Sequence, residues 1–459
     1  MKFARTGLRI PRIMGFAIII MLLCTAGITP KNIQAAPNPI TDSRWVVVAS
    51  QEMVNDPTLG AQYYDAIYTM DTSTNTVYGP FLMNELTTLS ESGTPLGGDI
   101  FDVAITPDGK TALLSSFGNQ LVHFVDISDP LNPVYLSSVK IDFYAEDIAI
   151  TDDGHYALVT DGGFTSSLFS IDITTRTLVC KLYLPVFEKD AGGNPVRGFA
   201  NAVAVAPDGT VMVADYFNGA IHTFLMGDYG GLTYTGTHRY YISPNGDVSL
   251  TPKTDYKAMR PVNVSIAPDG KTVLVSDVLN YADTNLPQYT NQFGVGVYKI
   301  TNPGKMEYVN VITGLSHAIQ TITFNETGNQ AVMLGNFAMT YDETANPSIV
   351  YSNDRLYVMD ILGPGEVVFD PSRSADLLRN TQSQLFGVDG LAVTEGKAYA
   401  SYPTLSIDST LYPERYLSVV DLNTLEVTQV DWGLTGSKTP VGVAAVIPHY
   451  YQYIPLVTK

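Results

Sequence analysis

Short hairpins, in which apolar and polar positions alternate, organise this chain. The clearest one spans residues 261–277, where Val262, Val264 and Ile266 alternate with smaller or polar residues. A period of two indicates a strand with one buried face. A Pro-Asp-Gly turn follows, in which Pro fixes φ and Gly accepts a positive φ. The apolar run after the turn predicts a strand that returns, so the unit is a β-hairpin.

The same hairpin recurs along the chain. Copies lie at residues 102–110, 147–154 and 202–209, weaker copies at 321–328 and 390–396, and a half copy at 440–446. A second hairpin with Asp, Asn, Thr or Gly in its turn follows each first one, as at residues 124–130. Four short antiparallel strands, repeated roughly every 45 to 70 residues without an intervening helix, are typical of a β-propeller blade.

Six full repeats and a split seventh complete the pattern. The full repeats begin near residues 99, 144, 199, 260, 318 and 387. The seventh takes one strand from residues 440–446 and others from residues 45–49 and 67–71, which leaves no open sheet edge. We therefore predict an all-β fold, a seven-bladed β-propeller of four-stranded antiparallel blades closed by N- and C-terminal strands. An eighth blade would have to lie within residues 225–257.

Part of the repeat resembles a known family. Residues 266–277 read Ile-Ala-Pro-Asp-Gly-Lys-Thr-Val-Leu-Val-Ser-Asp and resemble the repeat of the YVTN-type propellers, and residues 124–130 resemble the related LVIVD-type repeat. The resemblance covers nearly all of residues 45–447 and places the chain near the lactonase-like seven-bladed propellers. It implies the fold and leaves the function open, since similar propellers include surface-layer proteins, binding proteins and lactonases.

The N-terminal segment indicates export. Four basic residues precede or begin an apolar run at residues 13–28, and small residues close to position 35 offer a cleavage site. We predict a signal peptide at 1–35, a short linker at 36–44, a single propeller domain at 45–447 and a C-terminal tail at 448–459. The expected location is the periplasm, the cell surface or the extracellular space, with no membrane insertion after cleavage.

The charge of the chain excludes some partners. The net charge is −19 at pH 7, which disfavours nucleic acid and anionic membranes. A protein or a surface glycan is the expected partner, and an acidic surface also keeps an exported protein soluble.

Loop lengths predict which face of the ring binds. By strand order, the connections between second and third strands and the links between blades share one face, and nearly all long insertions fall there. These insertions are rich in Tyr, a residue that suits recognition surfaces. The predicted ligand-binding residues are Tyr281, Tyr289, Tyr341, Tyr351, Tyr402 and Tyr412. The alternative is that these rings anchor the long loops on the propeller.

Polar residues at the start of the innermost strands suggest a metal ion in the central channel. The candidate ligands are Asp102, Glu146, Asp147, Asn201, Asn263 and Asp389. Oxygen ligands suit Ca²⁺, and propeller lactonases that resemble this architecture use a central ion to polarise a carbonyl and activate water. The alternative is that inner strands end in polar residues because the channel contains water.

Two further residues are the catalytic candidates. His317 and Arg260 precede their innermost strands and are expected at the channel mouth as general base and anion clamp. Packing and hydrogen bonding are the alternative roles. The sequence contains no Gly-x-Ser-x-Gly elbow and no His-Glu-x-x-His pair. We therefore expect a non-catalytic exported propeller that binds or scaffolds through its Tyr-rich face. The alternative is a hydrolase or lactonase with a divalent cation in the channel.

Overall fold

The structure is a computed structural model. It describes residues 44–56, 60–83, 100–142, 144–163, 165–186, 188–189, 195–196, 198–243, 247–277, 293–336, 339–341, 349–351, 354–377, 390–401, 416–431 and 439–445. The predicted leader at 1–35 and tail at 448–459 lie outside the described residues. Within these ranges, no helix combines the length and the apolar character needed to span a membrane.

Strands account for the regular structure of the described chain. The strands that form the large sheets from the N-terminus to residue 183 are β1 (Trp45–Asp56), β2 (Gly60–Asp71), β3 (Thr76–Leu82), β4 (Ile100–Ile105), β5 (Thr111–Ser116), β6 (Leu121–Asp126), β7 (Val134–Lys140), β8 (Ala145–Ile150), β9 (Tyr156–Asp161), β10 (Ser167–Asp172) and β11 (Thr177–Tyr183). Two short strands follow, β12 (Glu188–Lys189) and β13 (Pro195–Val196).

The middle of the chain continues with β14 (Ala200–Val205), β15 (Thr210–Asp215), β16 (Ala220–Met226) and β17 (Leu232–His238), then the short strands β18 (Tyr241–Ile242), β19 (Val248–Ser249) and β20 (Lys257–Ala258). After these come β21 (Pro261–Ile266), β22 (Thr272–Asp277), β23 (Phe293–Asn302) and β24 (Lys305–Leu315). The C-terminal part comprises β25 (Ala318–Phe324), β26 (Gln330–Asn336), β27 (Met339–Tyr341), β28 (Ile349–Tyr351), β29 (Arg355–Gly363), β30 (Glu366–Asp376), β31 (Leu391–Thr394), β32 (Lys397–Ala400), β33 (Tyr416–Asp421), β34 (Val427–Asp431) and β35 (Thr439–Ala445).

The long strands form seven four-stranded antiparallel sheets, which confirms the predicted all-β propeller class. We number them as blades 1 (β4–β7), 2 (β8–β11), 3 (β14–β17), 4 (β21–β24), 5 (β25, β26, β29, β30) and 6 (β31–β34). Blade 7 combines β35 with β1, β2 and β3, so strands from both ends of the described chain pair in one sheet. The innermost strand of each blade contacts the innermost strands of its neighbours, and β35 contacts both β31 and β4.

The hydrophobic core lies between the blades. Seven clusters of buried residues occupy the seven junctions between neighbouring blades. At the junction of blades 7 and 1, for example, Val47 and Ile67 pack with Val103 and Leu114. Because successive side chains of a strand point to opposite faces, each blade presents one apolar face to each of its two junctions. The alternation in the sequence therefore reflects the packing of the blades into a ring.

The repeated Pro-Asp-Gly turn also joins neighbouring blades. Gly270 has φ 65°. A Cβ placed on Gly270 would stand 3.1 Å from the ring of Pro207, which lies in the equivalent turn of blade 3. The pair Gly328 and Pro268 repeats this contact between blades 5 and 4, at 2.9 Å. Pro and Gly are thus required in the turn both for its conformation and for the approach of the next blade.

The small extra sheets lie in the connections that carry the predicted insertions. The pairs β12–β13 and β18–β19–β20 lie in links between blades, and β27–β28 lies between the second and third strands of blade 5. Strand order places these connections on one face, which we call the loop-rich face. The other face carries the hairpin turns.

Candidate functional site

A β-bulge sets the start of the innermost strands at the loop-rich face. Register shifts occur between Ile100 and Asp102 in blade 1, and at the equivalent place in blades 2 to 5. A bulge redirects the side chains that follow it. The predicted channel residues therefore point along the ring toward the next blade as well as toward the axis.

Three of the predicted channel side chains bond to the backbone of the next blade. Asp102 accepts a hydrogen bond from the N–H of Ile148 at 3.0 Å. Asp147 accepts from the N–H of Val203 at 2.6 Å. Asn201 donates through Nδ2 to the carbonyl of Val262 at 3.0 Å. These side chains act as clamps between the innermost strands of blades 1 to 4.

The junction between blades 4 and 5 uses the hydroxyl of Ser265. Asn263 Oδ1 accepts a hydrogen bond from Ser265 Oγ at 3.0 Å, and the same hydroxyl reaches the carbonyl of Ile322 at 2.6 Å. The amide of Asn263 therefore orients the serine that joins blade 4 to blade 5. The clamp recurs, but its chemistry changes from carboxyl to amide to hydroxyl along the ring.

Burial raises the pKa values of three acidic side chains in blades 1 and 2. Burial raises the pKa of Asp102, and burial together with the neighbouring Asp102 charge raises that of Asp147 well above its usual value. Burial, with the charges of Asp147 and Asp161, also raises the pKa of Glu146 well above normal. Burial and mutual repulsion thus both favour the protonated form of these carboxyls.

The proposed calcium site remains a prediction. Within the residues that the structure describes, no group of three or more His, Cys, Asp or Glu side chains is arranged to hold a metal ion. The oxygens of Asp102 and Asp147 that were expected as ligands accept backbone hydrogen bonds. Asp389 lies outside the described residues.

His317 lies in a closed triangle of hydrogen-bonding groups. Its Nδ1 is 2.9 Å from Ser316 Oγ and 2.7 Å from the hydroxyl of Tyr357, and these two oxygens are 2.9 Å apart. His317 and Tyr357 are each 2 % exposed, whereas Ser316 is exposed. A Cβ on Gly335 would stand 2.7 Å from His317 Cβ, so glycine is what allows the imidazole to pack there.

Arg260, the second catalytic candidate, binds the backbone of blade 3. Its guanidinium donates to the carbonyls of Tyr216 and Phe217 at 3.1 and 2.5 Å and lies 5.8 Å from the Tyr216 ring centroid. The N–H of Arg260 donates to Asp277 at 2.7 Å. These contacts fix the link that enters blade 4 onto the turn of blade 3.

Carboxyls recur where the second strands end, as the repeat suggests. Asp215 accepts from Phe199 N–H at 3.1 Å, from Asn218 Nδ2 at 2.8 Å and from His222 Nε2 at 3.2 Å. The bonds of these carboxyls to the preceding link, as with Phe199, were not predicted.

Asp277 is the equivalent carboxyl in blade 4. It accepts from Tyr240 OH at 2.5 Å and from Arg260 N–H. Burial raises the pKa of Asp277 to about 7, although the two hydrogen bonds act in the opposite direction. Its protonation therefore changes close to neutral pH.

Blade 1 lacks this carboxyl because its second strand ends in Ser116. Asp65 of blade 7 supplies one instead: Ser116 Oγ donates to Asp65 Oδ2 at 2.9 Å. His123 Nε2 lies 3.4 Å from the same oxygen, and both side chains are fully buried. A residue from the neighbouring blade thus replaces the missing group, which single-repeat reasoning could not reveal.

Most of the tyrosines predicted to bind a ligand lie outside the described residues. They are Tyr281, Tyr289, Tyr402 and Tyr412, whereas Tyr341 and Tyr351 end β27 and β28.

Among the described residues, three aromatic rings stack at the loop-rich face, which the sequence analysis did not predict. The ring centroid of Phe117 is 4.2 Å from that of Tyr144 and 4.8 Å from that of Phe101.

Comparisons with known proteins agree on the fold. No protein-family model matches the chain, and no curated protein matches it significantly. A solved structure of a functionally unknown protein from Desulfotomaculum acetoxidans aligns with a TM-score of 0.59 at 17 % identity, covering 88 % of this chain and 99 % of the other. The YVTN-type resemblance therefore stays a prediction, while structural similarity supports the β-propeller fold.

Two further structures align with similar quality. The periplasmic gluconolactonase of Pseudomonas aeruginosa gives a TM-score of 0.54, and a candidate 6-phosphogluconolactonase of Bacteroides uniformis gives 0.55. Each is 12 % identical to this chain, and each alignment covers 88 % of this chain and 99 % of the other. At this identity the likeness concerns the fold.

Proposed function

We propose that this protein is an exported β-propeller that binds a partner through its loop-rich face. The observation that carries the proposal is the one-sided placement of the additions: β12–β13, β18–β20 and β27–β28 all lie in connections of that face. Binding sites are commonly built on long loops that a rigid scaffold holds. The inner-strand side chains support a scaffold role for the channel, since Asp102, Asp147 and Asn201 join one blade to the next.

The partner proposed is a protein or a surface glycan. The net charge of −19 argues against nucleic acid, and Tyr-rich loops suit both remaining classes. The test is quantitative binding to a glycan array and to immobilised envelope proteins of the producing cell. Tyr402→Ala/Tyr412→Ala is compared with Tyr229→Ala, because Tyr229 is 76 % exposed in a hairpin turn of the opposite face.

We expect the double variant to weaken binding at least about tenfold and Tyr229→Ala to leave it unchanged. Such a loss is about 1.4 kcal/mol, a modest value for aromatic contacts at an interface. Equal binding by both variants, or no saturable binding by the folded wild-type protein, would contradict the proposal.

A divalent-metal lactonase is the second candidate. The observation that favours it is the similarity to the two lactonase-named structures, with TM-scores of 0.54 and 0.55. Hydrolysis of glucono-1,5-lactone is measured above its spontaneous rate, with added Ca²⁺ and with chelator. Turnover that needs the ion and is lost in Asn201→Ala would replace the binding proposal by this one.

A further inference from the structure

The triangle formed by Ser316, His317 and Tyr357 has the geometry of an activated nucleophile. Ser316 Oγ is 2.9 Å from His317 Nδ1, which is within the distance over which a general base takes a hydroxyl proton. Tyr357 OH lies 2.9 Å from the same oxygen and 2.7 Å from Nδ1. Strand β29 supplies Tyr357, and the link from blade 4 to blade 5 supplies the other two.

The three groups differ in their exposure to solvent, and this difference indicates their roles. Ser316 is exposed and open to a substrate, whereas His317 and Tyr357 are each 2 % exposed and shielded from water. Burial also raises the pKa of Tyr357, so the phenol stays neutral and can donate a hydrogen bond. Among the described residues, no heavy atom lies within 4 Å of where a Cβ on Gly314 would stand, so the chain just before Ser316 faces open space.

We propose that Ser316 is the nucleophile of an acyl-transfer site for carboxylic esters, lactones included, with His317 as its general base and Tyr357 as a positioning residue. This activity is additional to partner binding. It uses no metal ion and none of the channel carboxyls, so it stands apart from the lactonase candidate above.

The steps balance with these residues and water. Ser316 Oγ bonds to the ester carbonyl carbon while its proton passes to His317 Nδ1. The bond from carbon to the alcohol oxygen then breaks, and that oxygen takes the proton from Nδ1. Water next attacks the acyl-serine and gives a proton to Nδ1, which returns it to Ser316 as the carboxylic acid leaves. Tyr357 OH donates its one hydrogen bond to Oγ and so holds that oxygen beside Nδ1.

Covalent labelling tests the site directly. The purified chain is treated with a fluorophosphonate probe, whose phosphorus bonds to an activated serine oxygen as fluoride leaves, and the adduct is located by peptide mass spectrometry. We expect an adduct on Ser316 in the wild-type protein and in Ser372→Ala, an exposed serine of strand β30, and none in Ser316→Ala.

The other variants test the assigned roles. His317→Gln should slow labelling by about 10²-fold or more, the usual size of general-base catalysis. Tyr357→Phe should shift the pH midpoint of the labelling rate, an effect that a merely structural residue would not produce. Melting curves verify that both variants are folded, and Ser316→Ala, altered at an exposed residue, keeps the test valid if they are not. An unlabelled Ser316 in folded wild-type protein, or labelling of folded His317→Gln at the wild-type rate, would overturn the proposal.

Discussion

The carboxyl of Asp147 accepts a hydrogen bond of 2.6 Å from the N–H of Val203, which joins the innermost strand of blade 2 to that of blade 3. Asp102 makes the same contact one blade earlier, with Ile148. A side chain expected to face the channel therefore satisfies a backbone donor of its neighbour. The inner ring is held by polar clamps as well as by the hydrophobic junctions.

Removing one of these hydrogen bonds between blades should lower the free energy of unfolding, whereas a substitution that keeps the acceptor oxygen should not. Asp147→Ala leaves the Val203 N–H without a partner at a buried site, which costs about 1–3 kcal/mol of unfolding free energy. Asp147→Asn retains an acceptor oxygen and removes the repulsion with Asp102, so its stability should match or exceed that of the wild type. Urea denaturation measures both. Equal losses in the two variants would contradict the clamp.

The recurring pattern predicted the strands well because period-2 alternation and turn chemistry are local. Residues 261–277 were expected as a hairpin, and β21 and β22 form it with Asp277 as the last residue. The contacts of the site were less predictable. Ser316 meets Tyr357 across 41 residues, and Asp65 meets Ser116 across 51. Such partners depend on how the links fold onto their blades and how neighbouring blades meet, which no single repeat encodes.

Asp65 should stabilise the junction where the N-terminal strands meet blade 1. Asp65→Ala removes the acceptor of Ser116 and the carboxyl beside the buried His123. Loss of a buried hydrogen-bond acceptor costs about 1–3 kcal/mol. Asp129→Ala is the control, because its carboxylate accepts bonds within an exposed turn. We expect a clear fall in the urea midpoint for Asp65→Ala alone, and equal midpoints for the two variants would refute the role.

Stability should increase on mild acidification. The pKa of Asp277 is raised from 3.8 to about 7 in the folded protein, so the folded state binds more protons than the unfolded state between these values. Its contribution is fully present below pH 3.8 and is lost as pH rises through about 7. The slope for one proton is about 1.4 kcal/mol per pH unit. Asp102, Glu146 and Asp147, whose pKa values are also raised, add to the same trend.

Asp277→Asn isolates this effect from the other carboxyls. The amide oxygen can still accept from Arg260 N–H, and the amide nitrogen can donate to the Tyr240 oxygen, but the group no longer titrates. The unfolding free energy of the variant should therefore depend less steeply on pH than that of the wild type between pH 5 and 8. Exposed Asp129→Asn is the control and should keep the wild-type slope. Identical slopes for Asp277→Asn and wild type would rule out the assignment.

Two glycines with positive φ separate backbone strain from steric clash. Gly219 has φ 56°, and a Cβ there would stand 2.4 Å from the carbonyl oxygen of Met259 in the link to blade 4. Gly314 has φ 84°, but no heavy atom of the described residues lies within 4 Å of its Cβ position. Gly314→Ala should therefore cost about 1 kcal/mol from conformation alone. Gly219→Ala adds a backbone clash that forces blade 3 and its link apart, at roughly 1–3 kcal/mol more. Calorimetric melting of both variants should show the larger fall for Gly219→Ala, and equal falls would mean that the turn of blade 3 does not pack against the Met259 backbone.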